Sequence, residues 1–289
     1  MFHLFGRNKQ LLDEESIEWI FDTFAWAIEH LDKDVFDNET RLILPNNDYF
    51  PGAQNSADGM ADLILKQVKT YAGMSHWPTQ LLNVETSGKV PPQGNIIVNG
   101  QLRGEKATAT FSSQSITATT SPTFSVSGDS APFYSMPETA SSDPTLTFTF
   151  HPQQLRSPEG IIAHFAQGLS NHLLRASNQL PPGGRDYLPM ASELVGIFMG
   201  FGIVFANSAI VARAGGCGGC GGGQSPVRQV ILNQDEATYA LALFCQLKDI
   251  DKRMVKRHLN KHLRGFFKAA IKDCRRRLAD HSLSIAYSV

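Results

Sequence analysis

The sequence predicts an α+β protein, and three observations carry the prediction. Apolar residues recur at helical spacing at both ends of the chain. A texture rich in Thr, Ser, Val, Ile and Phe replaces that spacing in the middle. One long uncharged stretch in the C-terminal half has the composition of a buried helix. The chain divides accordingly into an N-terminal helical region (1–83), a β-rich region with Ser/Thr-rich loops (84–152) and a mainly helical region (153–289), expected to form one unit. A length of 289 residues is sufficient for a large core.

The first helix follows Asp13, whose side chain can cap it, and carries Ile17, Ile20, Phe21, Phe24, Ala25, Ile28 and Leu31 on one face. Leu42-Ile-Leu reads as a short strand, ended by the turn-forming residues 45–52. A second helix is expected over 56–72, with Met60, Leu63, Ile64, Val68 and Tyr71 together. In the middle region the strand candidates are Ile96-Ile-Val, Thr108-Ala-Thr-Phe, Phe124-Ser-Val and Leu146-Thr-Phe-Thr-Phe. Alternation in the last places Leu146, Phe148 and Phe150 on one face. Loops rich in Ser, Thr and Pro separate them at 112–121 and 135–143. Helices are then expected over 159–177, 189–212, 235–247 and 251–280, with Pro181-Pro-Gly-Gly breaking the first from the second. No internal repeat is visible.

Charge is distributed unevenly. The net value of −1 argues against a general nucleic-acid or anionic-membrane binder. Residues 13–39 are nonetheless strongly acidic and residues 248–277 strongly basic, so the two regions either pair with each other, face solvent, or offer a surface to a partner. Lys256, Arg257, Lys261 and Arg264 are the candidate contacts for an acidic partner. The opening Met1-Phe-His-Leu-Phe-Gly lacks the apolar core of a secretory signal, and the four cysteines do not make a disulfide framework, so a cytoplasmic location is expected.

Residues 194–212 contain no charge and are flanked by Glu193 and Arg213, which is the pattern of a membrane span. Gly196 and Gly200 stand at the spacing that favours close helix contact. Asn207 and Ser208, and the lack of an aromatic or cationic belt on the N-terminal side, favour a buried helix of a folded protein instead.

Three stretches read together point to a family. Ile161-Ile-Ala-His-Phe-Ala-Gln-Gly-Leu-Ser-Asn-His-Leu-Leu is followed by Glu193-Leu-Val-Gly-Ile-Phe-Met-Gly-Phe-Gly-Ile-Val-Phe-Ala-Asn-Ser and then by Thr238-Tyr-Ala-Leu-Ala-Leu-Phe. This order resembles a group of bacterial proteins that look like small zincin metallopeptidases. Their better-preserved members carry a His-Glu-x-x-His helix, an acidic residue ahead of an apolar Gly-x-Gly helix ending Ala-Asn, and a Tyr-Ala-Leu-Ala-Leu-Phe helix. Residues 46–52 and Tyr71-Ala-Gly-Met-Ser-His-Trp are also similar to that group. The resemblance implies a zincin-like fold with the β-rich region packed on the helical half.

In His-Glu-x-x-His, two imidazoles one turn apart hold zinc and the glutamate serves as general base. At those positions this chain has Gln167, Gly168 and Asn171, and of the motif only the later acidic residue, Glu193, is kept. Amides are poor zinc ligands and a glycine supplies no base. The resemblance therefore implies a member without the zinc chemistry, in which Gln167, Asn171 and Glu193 form a hydrogen-bonded cluster. His164 and His172 lie eight residues apart, roughly 12 Å along a helix, too far to share one ion. His164 with Glu193 and a third group is the remaining rearranged zinc site.

Cys217-Gly-Gly-Cys220 has the spacing of half a zinc knuckle or a redox pair, and a second subunit could complete it in a zinc-linked homodimer. Cys245 and Cys274 have apolar surroundings and do not supply a second pair. His258 and His262 have the i, i+4 spacing of a metal pair, but the surrounding cations oppose one. Trp19, Trp26 and Trp77 read as core. There is no phosphate-binding glycine loop and no Gly-x-Ser-x-Gly elbow. The function expected is non-catalytic, as a zincin-like binding or interaction protein with no required cofactor. The alternatives are a metal-dependent hydrolase with rearranged ligands, zinc binding through Cys217 and Cys220, and a membrane-associated protein.

Overall fold

The structure, a computed structural model, describes residues 11–87, 96–113, 144–209 and 230–280. Helix α1 (Glu14–His30) starts where the Asp13 carboxylate accepts the Ser16 amide at 2.8 Å, and it buries Ile17, Ile20, Phe21, Phe24 and Ile28. A left-handed residue, Asp32, turns the chain into the short α2 (Lys33–Asn38). Helix α3 (Ala57–Tyr71) is capped by Ser56 and buries Ala61, Ile64, Leu65 and Val68. The acidic first turns and the side-chain caps satisfy amides that the helices cannot pair internally.

Strands β1 (Thr79–Asn83) and β4 (Leu146–Phe150) pair in parallel, Thr79 opposite Leu146 and Asn83 opposite Phe150. The chain between them contains the antiparallel hairpin of β2 (Ile96–Asn99) and β3 (Thr110–Ser113). Leu146, Phe148 and Phe150 are all buried, as alternation predicts. Thr147 on the other face is buried too, where its hydroxyl accepts a hydrogen bond from Gln80. Among the described residues the middle region therefore supplies three strands. The Phe124-Ser-Val candidate lies outside those residues.

The helical half is built on α4 (Pro158–Ala176), which packs against β4, α3, α5 (Leu188–Gly196) and α6 (Gly202–Ser208). Helix α7 (Gln234–Leu247) covers α6 and is covered in turn by α9 (Leu263–Asp280). One apolar cluster runs through all of these and through α1 and α3, so the three sequence regions share a core. Among the described residues, mixed helix and strand, mainly helical with two small sheets, is the α+β class expected.

Three elements differ from the sequence reading. The stretch expected as one helix over 189–212 is, in its described part to residue 209, two helices. Between α5 and α6 the widened turn Ile197–Phe201 contains Gly200 at φ 100°, outside the helical region. A Cβ on Gly200 would lie 2.1 Å from the Arg41 carbonyl oxygen, so only glycine lets the 40–44 segment cross there. That segment is not a strand in a ladder. Its Ile43 amide donates to the Gly200 carbonyl at 2.9 Å, and Leu42, Ile43 and Leu44 are buried against the helices. Gly196 is likewise a close approach, with a Cβ position 2.4 Å from the ring of Phe205 on the folded-back α6. Thus the two glycines accept the protein's own chain. Every residue from 191 to 209 is buried, although the stretch Gly184–Ser208 is long and apolar enough to cross a membrane.

The third difference is in the basic region. The single helix expected over 251–280 is broken into α8 (Lys252–His258) and α9. Asn207, at the end of the apolar stretch, holds the break. Its Nδ2 donates to His258 O at 2.8 Å and to Glu159 Oε1 at 3.1 Å, and its Oδ1 accepts the Asn260 amide at 2.9 Å. A side chain that replaces helix hydrogen bonds in this way stabilises the interruption.

Candidate functional site

The polar residues of α4 divide between two neighbouring elements. His164, Gly168 and His172, four apart, turn toward β4. The Nε2–H of His164 donates to Thr149 O at 2.9 Å. The ring of His172 meets Phe148 edge-on with centroids 5.7 Å apart. Burial, with Arg175 adding to it, depresses His172 to about 4, so it is neutral near pH 7. Gly168 lies under the same phenylalanine, and a Cβ there would come within 2.7 Å of Phe148 Cε1. The space a side chain at this position would need is occupied by an aromatic ring.

Gln167 and Ser170 turn instead toward α5. The Gln167 Nε2 donates to Glu193 Oε1 at 3.3 Å, and the Ser170 hydroxyl donates to Ser192 O. Glu193 is only 1% exposed. Its carboxylate also accepts the backbone amides of Ile231 at 3.2 Å and Leu232 at 2.8 Å. Gln167 and Glu193 are thus brought together as the cluster reading expected. Asn171 does not join it: no hydrogen bond links it to either residue among the described ones. His164 is engaged with Thr149 O, and Glu193 with Gln167 and the amides of Ile231 and Leu232. Among the described residues no three His, Cys, Asp or Glu side chains are arranged to hold a metal. Cys217 and Cys220 lie outside the described residues.

The other expected positions separate. His258 and His262 fall on either side of the α8–α9 break. The imidazole of His262 contacts Gln234 Oε1 at 3.0 Å, and they do not form a metal pair. Arg264 is committed to the end of α8, donating to Leu259 O at 3.0 Å and Arg257 O at 3.4 Å. Arg257 and Lys261 are exposed and Lys256 is half-buried, so an outward basic surface remains without Arg264. The acidic and basic regions do pair at one point, where Arg277 bonds both carboxylate oxygens of Glu14. Cys245 and Cys274 are both buried free thiols, and burial pushes each well up, Cys274 to about 12. Neither is a nucleophile near pH 7.

Sequence reasoning missed two features. Arg103 is fully buried, with its Nε–H on Leu31 O at 3.2 Å and its guanidinium 5.1 Å from the Phe198 ring centre. Desolvation lowers it to about 10, which leaves it charged. It ties the β2–β3 region to the α1–α2 corner. The second is a cavity of about 310 Å³ between α1 and the 183–190 segment, walled by Trp19 and Tyr187 with ring centres 5.7 Å apart. Trp26 and Trp77 are core residues as expected, but Trp19 is half-exposed and belongs to this wall. A larger polar cleft of about 760 Å³ opens between residues 35–41, 70–76 and 104–107. No periodicity links residues so far apart in the chain. Comparison with protein-family models, with curated proteins and with solved structures found no match.

Proposed function

We propose that this chain is a non-catalytic protein on a zincin-like scaffold that acts by binding a partner or ligand. One observation carries the reading: the Glu193 carboxylate, at the position the resemblance assigns to the acidic metal ligand, is enclosed and spent on two backbone amides and the Gln167 amide. A catalytic zinc needs several convergent ligands, an open coordination position and a base beside it. Here the amide of Gln167 and the Phe148 ring over Gly168 stand in those places. Glu193 acts as a latch that fixes residues 231–232 to α5. The exposed Arg257 and Lys261 remain candidates for contacting an acidic partner. The two buried thiols and the enclosure of the apolar helix by its own chain support a cytoplasmic setting, with recovery in the soluble fraction without detergent as the check.

The test is metal analysis of protein purified without chelators, together with Glu193→Ala, Glu193→Gln and Cys217→Ser. The latch reading expects no zinc dependent on Glu193, and a lower melting temperature for Glu193→Gln that chelator does not change. Near-stoichiometric zinc lost on Glu193→Ala but kept on Cys217→Ser would overturn it in favour of a hydrolase with rearranged ligands. Zinc lost on Cys217→Ser would place a metal at the Cys217–Cys220 pair instead.

A further inference from the structure

We propose that the cavity lined by the Trp19–Tyr187 pair binds an organic cation, a methylated ammonium group carried by a small amine or by a lysine side chain. The inference rests on the binding reading above only in taking the protein to work through a ligand.

The walls are aromatic and held in place. The indole N–H of Trp19 donates to Pro182 O at 3.0 Å, which fixes the ring plane. Tyr187 faces it at 42° and sits directly on Gly183, where a Cβ would come 2.4 Å from the phenol ring. Met190 and Leu232 add apolar surface, and Leu232 is held by the hydrogen bond its backbone N–H donates to Glu193, so the latch also sets one wall of the cavity. Two tilted aromatic faces with a polarisable thioether attract a large, weakly hydrated cation by their negative π-faces.

The charge on the lining agrees. Asp13, Glu15 and Glu236 line the cavity, and among the described residues no Lys, Arg or His does. Asp13 is hydrogen-bonded to Ser16 and Glu236 to the Asn233 amide, but no cation pairs with any of the three among the described residues. The neighbouring arginine, Arg277, is engaged by Glu14 on the adjacent side of α1. Burial, with Asp13 and Asp235 nearby, holds the Glu236 carboxyl above its usual range. Anions are disfavoured by this lining. A small hard metal ion is disfavoured as well, because among the described residues the carboxylates do not converge into a group that could hold one. A volume of about 310 Å³ lies at the small end of ligand cavities and suits a methylated ammonium head group.

The experiment titrates the full chain with tetramethylammonium and choline at constant ionic strength, following heat and tryptophan fluorescence. The neutral choline isostere 3,3-dimethyl-1-butanol is the control. A trimethyl-lysine peptide and its unmethylated form distinguish a protein side chain from a free amine as the source. The proposal expects saturable binding of the cations, with the neutral isostere and Trp19→Leu each weaker by about tenfold or more. Trp19→Phe, which keeps an aromatic face, should retain part of the affinity, and Glu236→Gln should weaken binding several-fold. Tighter binding of the methylated peptide than of choline assigns the ligand to a partner protein, and the reverse assigns it to a free amine. Equal affinity for the neutral isostere, or undiminished binding by a folded Trp19→Leu protein, would overturn the proposal. So would the absence of any cation response up to about 50 mM. Such a failure leaves the metal analysis of Glu193 untouched, so the two readings fail separately.

Discussion

Replacing Asn207 by leucine tests whether the apolar stretch is built for a folded interior. The change removes two hydrogen bonds donated by Nδ2, to Glu159 and His258 O, and one accepted by Oδ1 from the Asn260 amide. At about 0.5–1.5 kcal/mol each, their loss costs roughly 2–4 kcal/mol. Asn207 is 7% exposed, so leucine gains some burial in return, about 1 kcal/mol once crowding is counted. The net expectation is a destabilisation of roughly 1–3 kcal/mol, which lowers the melting temperature by about 2–5 °C in a protein of this size. Circular dichroism during urea and thermal unfolding measures it. In hydrocarbon the sign reverses, because leucine is far better solvated there than an amide. An Asn207→Leu protein as stable as the parent, or more stable, would refute the hydrogen-bonded junction.

Three further outcomes follow from the same contacts. Gly200→Ala forces a Cβ onto the Arg41 carbonyl at a positive φ, and should cost at least about 2 kcal/mol in chemical denaturation. His172 is depressed in the folded state, so its contribution to stability is complete above about pH 6.5 and is lost as pH falls toward 4. The loss amounts to up to about 3 kcal/mol, and His172→Phe should flatten that part of the stability profile. Glu14→Ala removes an exposed carboxylate from Arg277, whose bond to Asp273 remains, and should change stability by less than about 1 kcal/mol at moderate salt.

The elements legible in the sequence were those with a phase and a cap. The Asp13 and Ser56 caps, the α4 and α7 boundaries and the Leu146–Phe150 alternation each leave a local signal that the structure repeats. The bend at Gly200 left none, because residues apolar all round have no buried face to change direction. The α8–α9 break was hidden because the basic residues run through it and the side chain that stabilises it comes from Asn207. Leu42-Ile-Leu has the composition of a strand, yet a β-prone triplet does not distinguish a ladder from a single crossing at Gly200. Of the candidate site, Gln167 and Glu193 were found only through their resemblance to a motif. The pairing of Trp19 with Tyr187 depends on α1 lying against α5, which no local pattern encodes.

The enclosure of the apolar stretch also sets a schedule for synthesis. Its N-terminal neighbours, α1 and α4, have already been made when Ser208 leaves the ribosome, but the α7 side of α6 is bare until Leu247 follows. At about 5–20 residues per second that interval lasts roughly 2–8 s. During it the α7 side of the apolar segment is uncovered, so mutations in α7 that slow its docking should reduce yield in cells more than they reduce the stability of the finished protein.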